Sequence, residues 1–460
     1  MTKAMPDLTS RKSSEPHPQS AAQPWWMKGA FRPVTEESTV VDLAVTGELP
    51  PDLNGRLLRI GPNPPTGQSP HWFLGAGMVH EIELCNGTAK AYRNRYIMTD
   101  YFEAVSNGRP PSLGDPRSSM ANTHIVAHAG SLMALEETHL PIALDGNLST
   151  IGPYDFGGAL KTSMTAHPKI CPKTGEMLFF GYGFFPPYLT YHRVSPAGEL
   201  LSSREIPVRK PTMMHDFHIT EHYAIFMDLP LTIDTSSKNQ TALPIRWDED
   251  YGARVAIVPR DGQGEISWFE IDPASAGHAM NAYEEGPEII MDVCSKTHVF
   301  KPGMKDGAPF LYRWRLNTET GEFSKTRLSD DPIEFPRIAD DRAGLPYTFG
   351  YAAVLHHEAF DQFHSSAIRK FNMVSGEQET FSFDSNSVCG EPIFVARKGG
   401  SAEDDGYVLV YVNDELNDTS RLCVFDASSL SAGPVAEVTM PHRVPQGLHG
   451  SWIDQDVVIR

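Results

Sequence analysis

Eighteen histidines stand in this chain, and imidazole is the side chain that most often ligates metals and moves protons near neutral pH. A lone histidine in a β-rich chain is usually a surface or hydrogen-bonded core residue. Four differ by context. His167 lies in Thr165-Ala166-His167-Pro168 and His215 in Met213-Met214-His215-Asp216-Phe217. His278 opens His278-Ala279-Met280-Asn281-Ala282-Tyr283, and His449 lies in Gly447-Leu448-His449-Gly450-Ser451-Trp452. They are 48, 63 and 171 positions apart, far from the i, i+4 pairing of a helical metal motif. If they meet, the fold must bring remote segments to one point. His218 stands three residues after His215. On a strand, such residues face opposite sides, so His218 reads as structural. The pairs His356-His357 and His124/His128 show no context for chemistry.

The elements that would position these residues are short strands. Apolar runs such as Glu176–Phe180, Tyr223–Met227, Arg254–Val258 and Tyr407–Val412 recur along the chain, and long amphipathic helices do not. Lys173-Thr174-Gly175-Glu176, Pro196-Ala197-Gly198-Glu199, Asp261-Gly262-Gln263-Gly264, Thr320-Gly321-Glu322 and Ser375-Gly376-Glu377 separate such runs, which is the hairpin signature. Many short strands predict an all-β barrel, sandwich or propeller. No strict repeat selects among them. A propeller would explain the histidine spacing, because the innermost strand of each blade runs along one axis.

Composition excludes several partners. The net charge is −19, from 58 acidic and 39 basic residues, which excludes a phosphate-neutralising nucleic-acid surface. The same charge disfavours electrostatic attachment to anionic lipid but leaves room for peripheral contact through apolar side chains. Five scattered cysteines form no CxxC pair, so neither a disulfide framework nor a thiolate zinc site is expected, and a reducing cytoplasm fits. No run of ~18 apolar residues is present. Residues 1–24, rich in Ser, Pro, Lys and Gln, read as a disordered tail, with one folded domain over 25–460.

The four histidine contexts, in their order, resemble those of the carotenoid cleavage oxygenase family. So do Asn54-Gly55-Arg56-Leu57-Leu58-Arg59-Ile60-Gly61-Pro62-Asn63-Pro64, His71-Trp72-Phe73-Leu74-Gly75-Ala76-Gly77-Met78-Val79-His80 and Tyr92-Arg93-Asn94-Arg95-Tyr96. The likeness spans about residues 25 to 455. It implies a seven-bladed β-propeller whose top face is roofed by loops and short helices, with Fe(2+) on the axis held by His167, His215, His278 and His449. It also maps three second-layer carboxylates onto Glu137, Glu334 and Glu391, and a residue beside the open iron position onto Thr123. The implied reaction is cleavage of a conjugated C=C bond of an apolar polyene with O2. Zinc cannot do this, having no redox chemistry, whereas iron(II) suits imidazole. Four neutral imidazoles leave the iron charge whole, so nearby carboxylates would offset it and fix the ring tautomers.

One branch of the family cleaves hydroxylated stilbenes and typically holds the phenol with a lysine in the segment that here reads Leu135-Glu136-Glu137. Glu136 cannot serve as that cation, which favours carotenoids or apocarotenoids. Two further departures bear on the substrate. His218 replaces a small residue, and Gly277 replaces an aromatic, leaving a gap that either widens a cavity or is filled by a neighbour. Phe184-Phe185-Pro186-Pro187 reads as a loop that could line or roof a tunnel. Isomerohydrolases of the same superfamily and a non-enzymatic binding propeller are the remaining alternatives. The first finds no special support in the sequence, and the second does not call for four histidines and three glutamates together.

Overall fold

The computed structural model describes residues 23–112, 114–234 and 243–459. Residues 1–22, on which most of the expected tail falls, lie outside the described residues. The described chain forms seven antiparallel sheets of four or more strands, arranged as a seven-bladed β-propeller, plus one hairpin pairing Leu231–Ile233 with Ile245–Trp247. Taken in chain order, the innermost strands of blades 1 to 5 are His124–His128, Lys169–Ile170, His218–Ile219, Ser275–Glu285 and Ile333–Ile338. Blade 6 begins with Ser387–Cys389 and Ile393–Ala396, which share the neighbour Gly406–Asp414. The innermost strand of blade 7 is Gly450–Asp454.

The ring is closed by the N-terminal segment, which is stapled into two blades. Gly55–Pro62 pairs with Gly450–Asp454, in register from Gly55 with Asp454 to Arg59 with Gly450. Val45–Gly47 becomes the outer strand of blade 6 beside Pro434–Thr439. Closure of this kind leaves no open edge along the ring.

Strand chemistry follows radial position. Second strands such as Met177–Tyr182 and Gly406–Asp414 are almost wholly buried, because each is pressed between two neighbouring blades. They therefore read as continuous apolar runs. The outer strand Leu200–Glu205 alternates half-buried and exposed, as a one-sided sheet edge should. Blades 2 and 3 meet through Leu178, Phe180, Phe217 and Phe226. Phe217 and Phe226 are stacked at 5.5 Å, with the Phe180 ring edge-on to Phe217 at 5.3 Å. The five turns marked by Gly175, Gly198, Gly262, Gly321 and Gly376 all connect adjacent strands of a blade. Gly376, at φ +81°, adopts a conformation that L side chains resist.

Every innermost strand runs away from one face, and the loops on that face build the cap. Its parts include the helix Asp100–Ser106, whose N-terminus is capped by the Thr99 hydroxyl, and the short turns Trp72–Leu74 and Phe360–Gln362. Trp25, Phe31, Trp72 and Phe363 pack there against Phe335. The starts of the seven innermost strands converge beneath this aromatic layer.

Candidate metal centre

Going round the ring, the chain places Thr123, His167, His215, Glu391 and His449 just before or between the innermost strands, and His278 and Glu334 within the first four residues of theirs. Two are aimed by irregularities in pairing. His278 sits where the register of Ser275–Glu285 slips, between Ala276 and Ala279. Glu334 sits where Ile333–Ile338 slips before Arg337, followed by Phe335 at φ +55°. Bulges re-aim side chains in this way.

The four histidines form one cluster, with a nitrogen from each lying within 4.8 Å of the others. Three of the rings are held from behind. The Nδ1–H of His215 donates to Glu137 in a short bond. That of His278 donates to Glu334 at 2.5 Å, and that of His449 to Glu391 at 2.9 Å. Glu137 also accepts from the Tyr182 hydroxyl at 2.7 Å, and Glu391 from the Gly450 amide at 2.9 Å. Among the described residues His167 has no carboxylate partner; its amide donates to the Thr165 hydroxyl at 3.2 Å.

A neutral imidazole that donates from Nδ1 carries its lone pair on Nε2. The Nε2 atoms of His215 and His278 are 2.9 Å apart, and those of His167 and His215 are 3.2 Å apart. The Nε2 of His449 is buried without a hydrogen-bond partner. Lone pairs pointed at one another repel. One added proton relieves one such contact, whereas a cation among the four relieves all of them. Burial, reinforced by the neighbouring histidines, holds His167 and His449 well below the ordinary imidazole range, so both stay neutral and able to ligate. Burial lowers His215 too, but the Glu137 carboxylate outweighs it and the net direction is up. Burial raises Glu334, while the adjacent His278 more than offsets this and leaves it lowered. The donor set therefore fits a divalent metal of intermediate softness.

Several residues that sequence reasoning did not single out hold this set in place. Asp216 accepts from Lys169 at 2.7 Å, from its neighbour Phe217 at 2.7 Å and from the amide of Ala279 at 2.8 Å. It thereby ties the loops of His167, His215 and His278 together. Arg59 donates to Gln446 at 3.3 Å and is wedged between two glycines. A Cβ at Gly390 would lie 2.8 Å from its Nη1, and one at Gly447 would lie 3.1 Å from its Nε. These glycines precede Glu391 and His449, so the buried guanidinium sets both approaches. His124 lies 5.4 Å from the His449 ring and 6.0 Å from that of His167. Its only signal in sequence was its place beside Thr123.

The gap at Gly277 is filled. A Cβ there would stand 2.8 Å from Glu334 Oε1, so the missing side chain is what lets Glu334 reach His278. His218 stays outside the cluster, but not for the strand-face reason. Only His218 belongs to the strand His218–Ile219, and His215 lies in the loop before it. The Thr123 hydroxyl donates to Asn122 at 2.9 Å, and its carbonyl accepts from the His449 amide at 3.0 Å. Phe185 is 82% exposed, which places it on the outside of the cap and not in a core.

Replacing His215 by alanine is expected to remove most bound metal, because one of four donors and the purpose of Glu137 go together. His218→Ala should keep it. Elemental analysis of the purified variants checks this. Loss of metal from the His218 variant would contradict the assignment of the cluster.

The comparisons agree with this geometry. The family model described as retinal pigment epithelial membrane protein matches residues 31–454. A carotenoid 9,10(9',10')-cleavage dioxygenase of Phaseolus vulgaris is 33% identical, over 94% of this chain and 90% of its own length. The crystal structure of a lignostilbene dioxygenase from Pseudomonas brassicacearum superposes with a TM-score of 0.87 at 29% identity, covering 94% of this chain and 99% of that one. A cobalt-substituted apocarotenoid oxygenase of Synechocystis superposes with a TM-score of 0.83 at 27% identity, covering 94% and 98%. The seven blades, the four converging imidazoles and these matches across nearly the whole chain lead to one conclusion: the chain belongs to the carotenoid cleavage oxygenase family of dioxygenases.

Proposed function

We propose that this enzyme is a non-haem iron(II) dioxygenase that cleaves a conjugated C=C bond of a carotenoid or apocarotenoid with O2, each carbon of the broken bond ending as an aldehyde or ketone. His167, His215, His278 and His449 hold the iron. The observation that carries the reading is the convergence of four imidazole nitrogens with three carboxylates behind them. Bound iron(II) would activate O2 toward the closed-shell polyene, the electrons that reduce O2 coming from the double bond that breaks.

The protein's part is orientation. Glu137, Glu334 and Glu391 fix the tautomers of His215, His278 and His449, and losing such a partner typically costs ~10–100-fold in metal affinity or activity. Phe335 lies nearly parallel to His278 at 5.6 Å and edge-on to His449 at 5.5 Å, making the cap side of the cluster apolar. A rigid polyene would lie against such a surface, and exclusion of water there protects reactive species. Thr123, tied to His449 through its carbonyl, would set the remaining side of the site.

Glu136 bears on the substrate. It is buried and bonded to His139 and Thr138, so it offers no cation to a phenolate. The second reading, stilbene cleavage, is favoured by the superposition on a lignostilbene dioxygenase. Iron-loaded enzyme should convert an apocarotenal to aldehydes in air and not under nitrogen, as read by liquid chromatography with mass spectrometry. Cleavage of a hydroxystilbene instead would replace the first reading with the second.

No helix of the described residues is long and apolar enough to cross a membrane, and all five cysteines are free, which suits a reducing cytoplasm. The cap face nevertheless exposes Phe184, Phe185, Met304 and Leu416. These would let the enzyme dip into a bilayer that holds its substrate. Liposome flotation should show association that survives high salt and weakens in Phe185→Asp. Absence of association at any salt concentration would contradict it.

A further inference from the structure

The large cavity that touches the histidine cluster lies away from the aromatic cap. It has a volume of about 530 Å³ and follows the innermost strands from His167, His278 and His449 to Asp341, Gly344 and Asp454 on the opposite face. Its charged lining is five carboxylates, Asp216, Asp340, Asp341, Glu391 and Asp454, against Lys169 and Arg337. Both cations are engaged, Lys169 at 2.7 Å from Asp216 and Arg337 at 3.6 Å from Glu391. The mouth keeps an acidic excess: the Asp341 side chain is 72% exposed, and the Arg342 guanidinium 3.7 Å from it is shared with Glu403 at 3.6 Å.

Two imidazoles line this channel without belonging to the cluster. The Nδ1–H of His124 donates to the Ala166 carbonyl at 2.7 Å, which leaves its lone pair on Nε2. His218 is 1% exposed, and its ring makes no hydrogen bond of normal geometry beyond a loose approach to the Asn281 backbone. Burial lowers its pKa to about 3, so its nitrogens are neutral. A buried imidazole left unsatisfied destabilises the fold, and none of the chemistry proposed above uses it. On the cap side the cluster is faced by apolar rings, Phe335 packing on Phe363 at 5.9 Å and Phe363 on Trp72 at 5.3 Å. A hydrated dication loses its solvation in such a layer at great cost. It keeps water and gains carboxylates in the axial channel.

We infer that the axial channel is the route by which the metal ion reaches and leaves the four-histidine site, drawn in by the acidic mouth and passed by His218 as a transient ligand. This rests on the proposed reading that the cluster holds a metal.

The test follows Co²⁺ uptake by the full-length apo-protein in stopped flow, using the visible absorption of the bound ion. His218→Leu and Asp341→Lys should each slow loading by about tenfold, with the final spectrum unchanged. The Asp341→Lys deficit should vanish in 1 M salt, where screening acts over ~3 Å. Wild-type loading rates in both variants would overturn the route, as would a folded apo-protein that takes up cobalt only after unfolding and refolding. Asp341 is exposed, so that variant carries the test if His218→Leu fails to fold. A spectrum that never develops in the wild type would overturn the metal site itself, which separates the two failures.

Discussion

Four imidazole lone pairs aimed at one point repel each other unless a cation lies among them, and the rest of this structure is arranged around that constraint. Glu137, Glu334 and Glu391 occupy the outer nitrogens of three rings, which forces the lone pairs inward. They also supply negative charge close to where the cation belongs. Each carboxylate needs its own support. Tyr182 donates to Glu137, the missing side chain at Gly277 makes room for Glu334, and Arg59 between Gly390 and Gly447 shapes the approach to Glu391 and His449. Asp216 joins three of the ligand loops through one carboxylate.

A seven-bladed propeller meets this constraint because seven strands begin at one level around one axis. The chain uses a position at or near every one of those starts, for one threonine, four histidines and two glutamates. Rigidity comes from the buried second strands and from closure of the ring by Gly55–Pro62 against Gly450–Asp454. The two sides of the cluster then differ in kind. Aromatic rings cover it on the cap face, while charged and polar groups line the axis below. An apolar substrate and a hydrated ion of the proposed function would thus meet separate surroundings at the same four histidines.

Much of this was legible in the sequence, for physical reasons. The runs at 176–180, 223–227, 254–258 and 407–412 fall in strands, Glu176 excepted, because both their faces are buried, and the glycine turns mark hairpins because positive φ disfavours residues that carry a Cβ. The number of blades was not legible from pattern. The blades bury similar surfaces with unrelated side chains, so no repeat survives, and the seven came from resemblance. The four histidines were visible by context, but the spacing alone left their meeting conditional on the fold. His218 shows the limit of periodicity, since its strand begins after His215 and the face rule has nothing to act on. Asp216, Arg59 and His124 were missed because their importance lies in contacts between blades, which no local pattern encodes.

X-ray absorption of the iron-loaded protein tests the central claim most directly. The account predicts a first shell that contains four imidazole nitrogens and no protein carboxylate, with Glu137, Glu334 and Glu391 remaining behind their histidines. A shell with fewer imidazoles, or with a glutamate oxygen bound to the iron, would contradict it.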